Sequence, residues 1–225
     1  MCTILTAKIE YIKPKLVSLI KMRVLYFDTE TNGLPKVRGG ADTDVKNHPE
    51  PVEIAWHILE DGVLVKRRSA LIKPDPDIVW DAGSAMIHKI YKPFAVANGT
   101  PGADVFTEFK EDCACCDAII AHNLAFDLPV VKCACLRIWP ADTDFSWLPA
   151  KQICTMKLTT PVCKLPYKDS KYPQRPGSYK QPRLAELHTF LFGNEGVYEA
   201  HRAASDVECL IACSQELIRR NILVL

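Results

Sequence analysis

Residues 23–30 read Arg-Val-Leu-Tyr-Phe-Asp-Thr-Glu, an apolar and aromatic run that ends in two carboxylates. β-branched and aromatic residues favour extended backbone, so residues 23–28 are predicted to form a buried strand. Side chains alternate across a strand, and Asp28 and Glu30 therefore project from the same side at its end. Two adjacent carboxylates repel each other and are costly to bury unless a cation neutralises them. Such hard oxygen ligands suit Mg²⁺ or Mn²⁺, and two solvated surface acids are the alternative.

The residues that follow this strand predict one α/β domain. Two further strands, over 52–59 and 63–72, flank Asp61-Gly62, which is a strong hairpin signal. Short apolar strands are predicted over 118–121 and 153–156, and a proline-rich loop over 160–183. Helices are predicted over 82–87, 103–116, 128–138, 184–192 and 203–218. Three strands followed by alternating helices and strands indicate a mixed sheet.

Residues 1–21 stand apart from this domain. Their loose helical stripe is broken by Pro14, and Met22 precedes the first strand as a candidate natural start. The chain is therefore divided into an N-terminal extension over 1–21 and a domain over 22–225. Deletion of residues 1–21 is expected to leave folding and activity intact.

The composition is that of a globular chain. Of 225 residues, 48% are hydrophobic and 24% are charged, and no apolar run is long enough to span a membrane. Because the net charge is only +1, any binding to a polyanion must come from a local patch. Ten cysteines without a secretory signal favour reduced thiols in the cytoplasm. The C-x-x-C and C-x-C clusters at 113–116 and 133–135 are expected to be buried core rather than zinc ligands.

Two further aspartates lie where helices are predicted to begin. Asp127 ends Ala-His-Asn-Leu-Ala-Phe-Asp at 121–127, and Asp206 ends His-Arg-Ala-Ala-Ser-Asp at 201–206. Taken singly, each aspartate is explained as a helix cap or as an acid favoured by the helix dipole. His201 taken singly is an ordinary surface or capping histidine.

Taken together and in order, these segments resemble the motifs of the DEDDh exonucleases, the superfamily of the proofreading epsilon subunit of bacterial DNA polymerase III. Residues 27–33 match F-D-T-E-T-x-G, residues 122–127 match H-N-x-x-F-D, and residues 201–206 match H-x4-D. Arg202 stands where the tyrosine branch of the superfamily has tyrosine. The chain departs from the family pattern at Lys89, where glycine often follows histidine, and at Cys154, where aspartate often precedes threonine.

The resemblance implies a fold and a reaction. The fold is ribonuclease H-like, a five-stranded mixed sheet with helices on both faces. The reaction is metal-dependent 3′→5′ exonucleolytic hydrolysis that releases 5′-mononucleotides with two divalent ions, Mg²⁺ or Mn²⁺. Asp28, Glu30 and Asp206 would hold the first ion, Asp28 would bridge to the second, and Asp127 would act partly through water. His201 would be the general base.

The resemblance also implies contacts to the terminal nucleotide, from Thr29, Asn32, Gly33, Leu34, His122, Asn123 and Phe126. Leu34 and Phe126 would flank the base, and a place in the core is the alternative for both. Residues 151–183 carry eight basic residues and one acidic residue, a net charge of +7, with tyrosines interleaved. Lys168 and Lys171 in this segment are expected to contact the phosphate backbone, and a solvated loop is the alternative.

The motifs leave the substrate open. A DNA 3′ end is the first expectation and an RNA end the alternative, because metals and carboxylates read only the phosphates. A catalytically silent nucleic-acid-binding or polymerase-associated module is the third possibility. The chain ends at Leu225, just after the last predicted helix, which favours a stand-alone enzyme over a polymerase subunit.

Overall fold

The computed structural model describes residues 21–167, 177–193 and 201–225. The predicted extension lies almost wholly outside the described residues, so its dispensability stays a prediction. The elements in chain order are β1 (Arg23–Thr31), β2 (Pro51–Glu60), β3 (Val63–Leu71), α1 (Ala82–His88), α2 (Lys92–Asn98), α3 (Gly102–Ala114), β4 (Ala118–Ala121), α4 (Leu124–Ile138), β5 (Lys151–Cys154), α5 (Thr155–Cys163), α6 (Leu184–Phe192) and α7 (Ala203–Arg219).

The strands form one five-stranded mixed sheet in the order β3-β2-β1-β4-β5. β1 is central, antiparallel to β2 and parallel to β4, while β2 and β3 form the predicted hairpin. Asp61 and Gly62 both have positive φ, which the tight turn of that hairpin requires. Because β1 and β4 are parallel, their carboxyl ends meet at one edge of the sheet, and α4 begins directly beyond it.

Each face of the sheet is buried under helices, which confirms the predicted fold class. Leu25 and Phe27 of β1 face α3 and α4, and the edge-to-face pair of Trp56 and Phe109 lies in the same cluster. Val24 and Tyr26 face the opposite way and pack with residues of α6 and α7. This alternation continues to the end of β1 and decides which way its polar residues point.

The cysteines of the two predicted core clusters are largely buried. Cys113, Cys133 and Cys135 are buried and free, and Cys115 is exposed. The one metal-type cluster found among the described residues contains no cysteine. Burial raises the pKa of Cys135 to about 12, which keeps that thiol protonated.

Two helices were not predicted, and one strand lies two residues earlier than expected. The strand predicted over 153–156 is β5 at Lys151–Cys154, and the chain turns into α5 at Thr155. The loop predicted from residue 160 therefore begins only after Cys163, with Pro161 inside the helix. α2 has a proline in its first turn, as helix starts often do. The helix has seven residues, and Ala95 is buried while Phe94 is exposed, so it lacks a regular buried apolar face that a sequence pattern could indicate.

Among the helices of the described residues, none has both the length and the apolar character that a membrane span requires.

Candidate active site

Three carboxylates converge at the carboxyl end of β1. Asp28 and Glu30 project from the face of the sheet that α7 covers, and Asp206 approaches them from the first turns of α7. Oxygen atoms of these three side chains all lie within 4.8 Å of one another. Such a spacing of hard oxygen ligands matches what a single Mg²⁺ or Mn²⁺ ion requires.

Asp127 lies beside this trio on the first turn of α4. Its Oδ1 accepts hydrogen bonds from the backbone N–H of Thr29 at 3.2 Å and from the Thr29 hydroxyl at 2.7 Å. Thr29 lies between Asp28 and Glu30 in the sequence of β1. Its side chain is buried and points to the face of the sheet that α4 covers. β1 therefore places Asp28 and Glu30 on one face of the sheet. On the other face it places Thr29, which binds the fourth carboxylate, Asp127.

The carboxylates are protonated more readily than isolated acids because they are crowded and shielded from water. Burial, followed by the charges of Asp127, Asp206 and Glu30, raises the pKa of Asp28 well above its usual value. Burial and the neighbouring Asp206 raise the pKa of Glu30 to about 8. Burial raises the pKa of Asp127 to about 7, against the two hydrogen bonds from Thr29. A cluster that holds protons so tightly in the absence of cations is suited to exchanging them for divalent ions.

His201 lies in a backbone turn just before α7, five residues ahead of Asp206. Its side chain is exposed, and its φ of 70° is in the left-handed region that non-glycine residues rarely adopt. The Oδ2 atom of Asp206 accepts the backbone N–H of His201 at 3.0 Å. One carboxylate therefore both belongs to the cluster and fixes the turn that presents the imidazole.

The sequence of this chain matches a known protein family over most of its length. The RNase_T family of exonucleases matches residues 25–213, which include all five of these side chains. The chain belongs to this exonuclease family. No curated protein sequence is significantly similar to it.

Solved structures similar to this chain include those of exonuclease I. The enzyme from Methylocaldum szegediense has a TM-score of 0.66 at 18% identity, over 88% of this chain and 41% of that one. Escherichia coli exonuclease I in complex with a dA16 oligonucleotide has a TM-score of 0.66 at 19% identity, over 89% and 42%. The zinc-bound form of an E. coli exonuclease I–ssDNA complex has a TM-score of 0.66 at 18% identity, over 89% and 41%. The likeness confirms the ribonuclease H-like fold, and the chain spans about two-fifths of the length of these enzymes.

A fifth carboxylate beside the trio was missed by the sequence reasoning. Glu53 of β2 lies directly opposite Glu30 in the antiparallel register and is only 3% exposed. Its oxygens accept hydrogen bonds from the guanidinium of Arg202 and from the backbone N–H of Ala203. The local signal was a charged residue near the start of a strand whose other polar residues are His57 and the terminal Glu60.

Two side chains predicted to contact the nucleotide, those of His122 and Asn32, make hydrogen bonds within the protein. The ring nitrogens of His122 lie 2.9 Å from the Thr155 hydroxyl and 2.9 Å from the Pro182 carbonyl. The side-chain amide of Asn32 donates to the carbonyl of Val79 and accepts from the N–H of Glu50. Nucleotide contacts by these polar atoms would compete with bonds that are already made.

Other predicted contacts remain open to a ligand. Leu34 is 77% exposed, so the alternative of a core position is wrong for this residue. Phe126 is partly exposed, and Asn123 begins α4 with a φ of 74°. Gly33 and Leu34 line a groove of about 910 Å³ together with Asn32, and none of the four carboxylates is among the residues that line it. Lys168 and Lys171 lie outside the described residues, so their contacts stay a prediction.

Proposed function

We propose that this protein is a metal-dependent 3′→5′ exonuclease that acts on DNA ends and releases 5′-mononucleotides. One observation carries the proposal: Asp28, Glu30 and Asp206 bring oxygens within 4.8 Å of one another, and Asp127 lies beside them. The membership of the exonuclease family and the likeness to exonuclease I support the same reaction class.

The donor set fits divalent cations. Asp28, Glu30 and Asp206 would hold one ion, and Asp28 with Asp127 would hold a second. Bound ions would activate the attacking water and offset the charge that develops on the phosphate. The protein's own part is to hold the carboxylates in place, which the Thr29 hydrogen bonds do for Asp127 and the His201 N–H does for Asp206.

His201 is proposed as the general base. The residue is exposed, and its backbone N–H donates to Asp206, so its position in the chain is tied to one of the carboxylates. A neutral imidazole has a ring nitrogen that can accept the proton of the attacking water. The proton then leaves to bulk solvent from an accessible ring.

A single-stranded or frayed DNA end is the proposed substrate. The groove that begins at Asn32 and Leu34 continues to Lys36 and Lys46, two exposed basic residues that suit a phosphate backbone. Leu34 would contact the base of the terminal nucleotide from one side and Phe126 from the other. The exonuclease I structures with dA16 and ssDNA support DNA as the first choice over RNA.

Digestion of end-labelled oligonucleotides tests the proposal. Matched DNA and RNA oligonucleotides, labelled at the 3′ or the 5′ end, are incubated with Mg²⁺, Mn²⁺ or EDTA. The expected result is immediate release of the 3′ label as a mononucleotide, progressive shortening of the 5′-labelled strand, and no reaction in EDTA. Faster digestion of RNA would replace DNA by RNA as the substrate.

The matched control is Asp206→Asn, which keeps the size of the side chain and removes its charge. Activity that persists in EDTA and in this variant would overturn the proposal, because it would not depend on the cluster. Nucleic-acid binding by an inactive wild-type protein would instead indicate a silent binding module.

A further inference from the structure

The carboxylate of Glu53 is buried beside the proposed metal site but is not placed to bind metal. It lies opposite Glu30 on the same face of the sheet and is 3% exposed. Three hydrogen-bond donors already occupy its two oxygens. Within the described residues, the oxygen cluster comprises Asp28, Glu30 and Asp206 without it. A role other than metal ligation is therefore required.

The side-chain hydrogen bonds of Glu53 to described residues lead to the start of α7. Oε1 of Glu53 accepts from Nη2 of Arg202 at 2.8 Å. Oε2 accepts from Nε of Arg202 at 3.3 Å and from the backbone N–H of Ala203 at 3.0 Å. Arg202 is the N-cap residue of α7 and makes no side-chain capping bond. Glu53 on β2 therefore accepts a backbone N–H from the first turn of α7, although it lies 150 positions away in sequence. The N-cap residue of the helix does not provide such a bond.

The residues on either side of this contact belong to the proposed catalytic machinery. His201 immediately precedes Arg202 and has a left-handed φ of 70°. Asp206 follows within the next turn and accepts the N–H of His201. The strained turn is therefore fixed by two hydrogen bonds, one to Asp206 and one to Glu53. A strained backbone conformation persists only where several surrounding contacts hold it.

Stability alone is a weak explanation for this ion pair. A buried ion pair is often no more stable than an apolar pair of similar size, because removing charges from water is costly. Here the Glu53 side chain is 4% exposed and that of Arg202 is 51% exposed, so most of the desolvation falls on the carboxylate. The carboxylate accepts three hydrogen bonds and so fixes the orientation of the three donor groups. An apolar residue of similar size would not do this.

We propose that Glu53 is a positioning residue that acts through Arg202 and Ala203 to hold His201 and the first turns of α7 against the carboxylates of β1. This inference rests on the proposed function for its catalytic consequence. Its structural consequence, order at the start of α7, does not depend on activity.

The kinetic test compares Glu53→Gln with the wild type and with Glu208→Gln, an exposed carboxylate on α7 that forms an ion pair with Arg67. Glu53→Gln is expected to lower kcat about 10- to 100-fold with little change in KM, because the base is displaced while the substrate groove is intact. Glu208→Gln is expected to stay within about twofold of the wild type. Equal kcat for Glu53→Gln and wild type would overturn the inference.

A second measurement follows amide hydrogen exchange by NMR in the metal-free protein. Glu53→Gln is expected to speed exchange at His201 and Ala203 about tenfold, while Leu210 and Cys213 in the middle of α7 keep their protection. Uniform acceleration along α7 would mean general destabilisation and would overturn the positioning role. If the wild type cleaves no nucleic acid, the proposed function fails, and the exchange pattern still decides the positioning contact.

A double-mutant cycle with Arg202→Met isolates the pair. Arg202→Met alone leaves the buried carboxylate without its charged partner and is expected to be the more damaging single change to stability. Because both residues act through one contact, the effects on kcat of Arg202→Met and Glu53→Gln are expected to be less than additive. Independent, additive effects would contradict action through Arg202.

Discussion

Thr29 donates both its backbone N–H and its hydroxyl to the same oxygen of Asp127, at 3.2 and 2.7 Å. The two residues are 98 positions apart, and the contact joins the central strand β1 to the first turn of α4. Both bonds favour the ionised form of Asp127, whereas burial and Asp206 favour the protonated form and hold its pKa at about 7. The Thr29 hydrogen bonds therefore increase the fraction of Asp127 that is ionised at neutral pH.

Substitution Thr29→Val removes the hydroxyl while keeping the shape of the side chain. We expect the pKa of Asp127 to rise and the exonuclease activity at pH 7 to fall about tenfold, the value of one hydrogen bond to a charged group. The acidic limb of the pH–rate profile is expected to move to higher pH, because less Asp127 is ionised at each pH. Thr29→Ser keeps the hydroxyl and serves as the control. An acidic limb that does not move in Thr29→Val would show that this bond does not govern Asp127.

Asp28→Asn is expected to have opposite effects on activity and stability. The variant loses a proposed ligand to both ions, so activity is expected to fall by about three orders of magnitude. It also removes one charge from a crowded cluster, so the metal-free protein is expected to gain on the order of 1 kcal/mol and about 2–4 °C in Tm at pH 8. Thermal unfolding in EDTA measures this, with Asp77→Asn in an exposed loop as control. A lower Tm for Asp28→Asn would mean that the carboxylate stabilises the apoprotein.

Removal of metal is expected to make stability depend on pH. Glu30 and Asp127 have pKa values of about 8 and about 7 in the folded protein, above those of free acids in the unfolded chain. Between the pKa values of the unfolded chain and those of the folded protein, the folded protein binds more protons than the unfolded chain. The stability of the folded protein therefore falls as pH rises from about 4 to about 8. In EDTA, Tm is expected to be lower at pH 8 than at pH 5, and Mg²⁺ to restore more stability at pH 8.

Thermal unfolding at several pH values, with and without Mg²⁺, measures this dependence. The double variant Asp28→Asn/Glu30→Gln removes two of the titrating groups and is expected to flatten the profile in EDTA. A metal-free Tm that rises from pH 5 to pH 8 would contradict the direction of the pKa shifts.

The parts of this site that could be predicted from sequence are those that depend on local geometry. Asp28 and Glu30 share a face because strand side chains alternate, and Asp127 follows a recognisable apolar strand. Glu53 could not be placed, because its register opposite Glu30 depends on a long connection between β1 and β2 and its partners lie near residue 203. Local patterns contain no information on which strand faces which helix end.

The missed helix α5 illustrates a different limit. Threonines and Pro161 disfavour a helix, yet the hydroxyls of Thr159 and Thr160 donate to the carbonyls four residues earlier. Thr155 at its start is also fixed by His122, from a segment more than thirty residues away. Tertiary contacts thus override the local propensity of residues 155–163.

Lys89 occupies a position where the family often has glycine, and its backbone explains that preference. It caps α1 with a φ of 61°, and its side chain is exposed. Lys89→Gly is expected to raise the free energy of unfolding by about 0.5–1 kcal/mol, because glycine adopts this φ without steric cost. Lys89→Ala keeps the steric cost and is expected to give no gain. Chemical denaturation compares the three proteins, and equal gains for glycine and alanine would exclude the backbone explanation.

The basic segment over 151–183 leads to a prediction about salt. If Lys168 and Lys171 each contact a phosphate of single-stranded DNA, replacing both by alanine is expected to weaken binding and to reduce the slope of log Kd against log salt by about 1.4. The control variant Lys21→Ala/Arg219→Ala removes the same charge from exposed side chains, one just before β1 begins and one at the last turn of α7, far from the carboxylates. Fluorescence anisotropy with a labelled oligonucleotide in Ca²⁺, over a range of KCl concentrations, measures both slopes. A slope that falls equally in both variants would indicate diffuse attraction by net charge, and an unchanged slope in Lys168→Ala/Lys171→Ala would place the strand elsewhere on the protein.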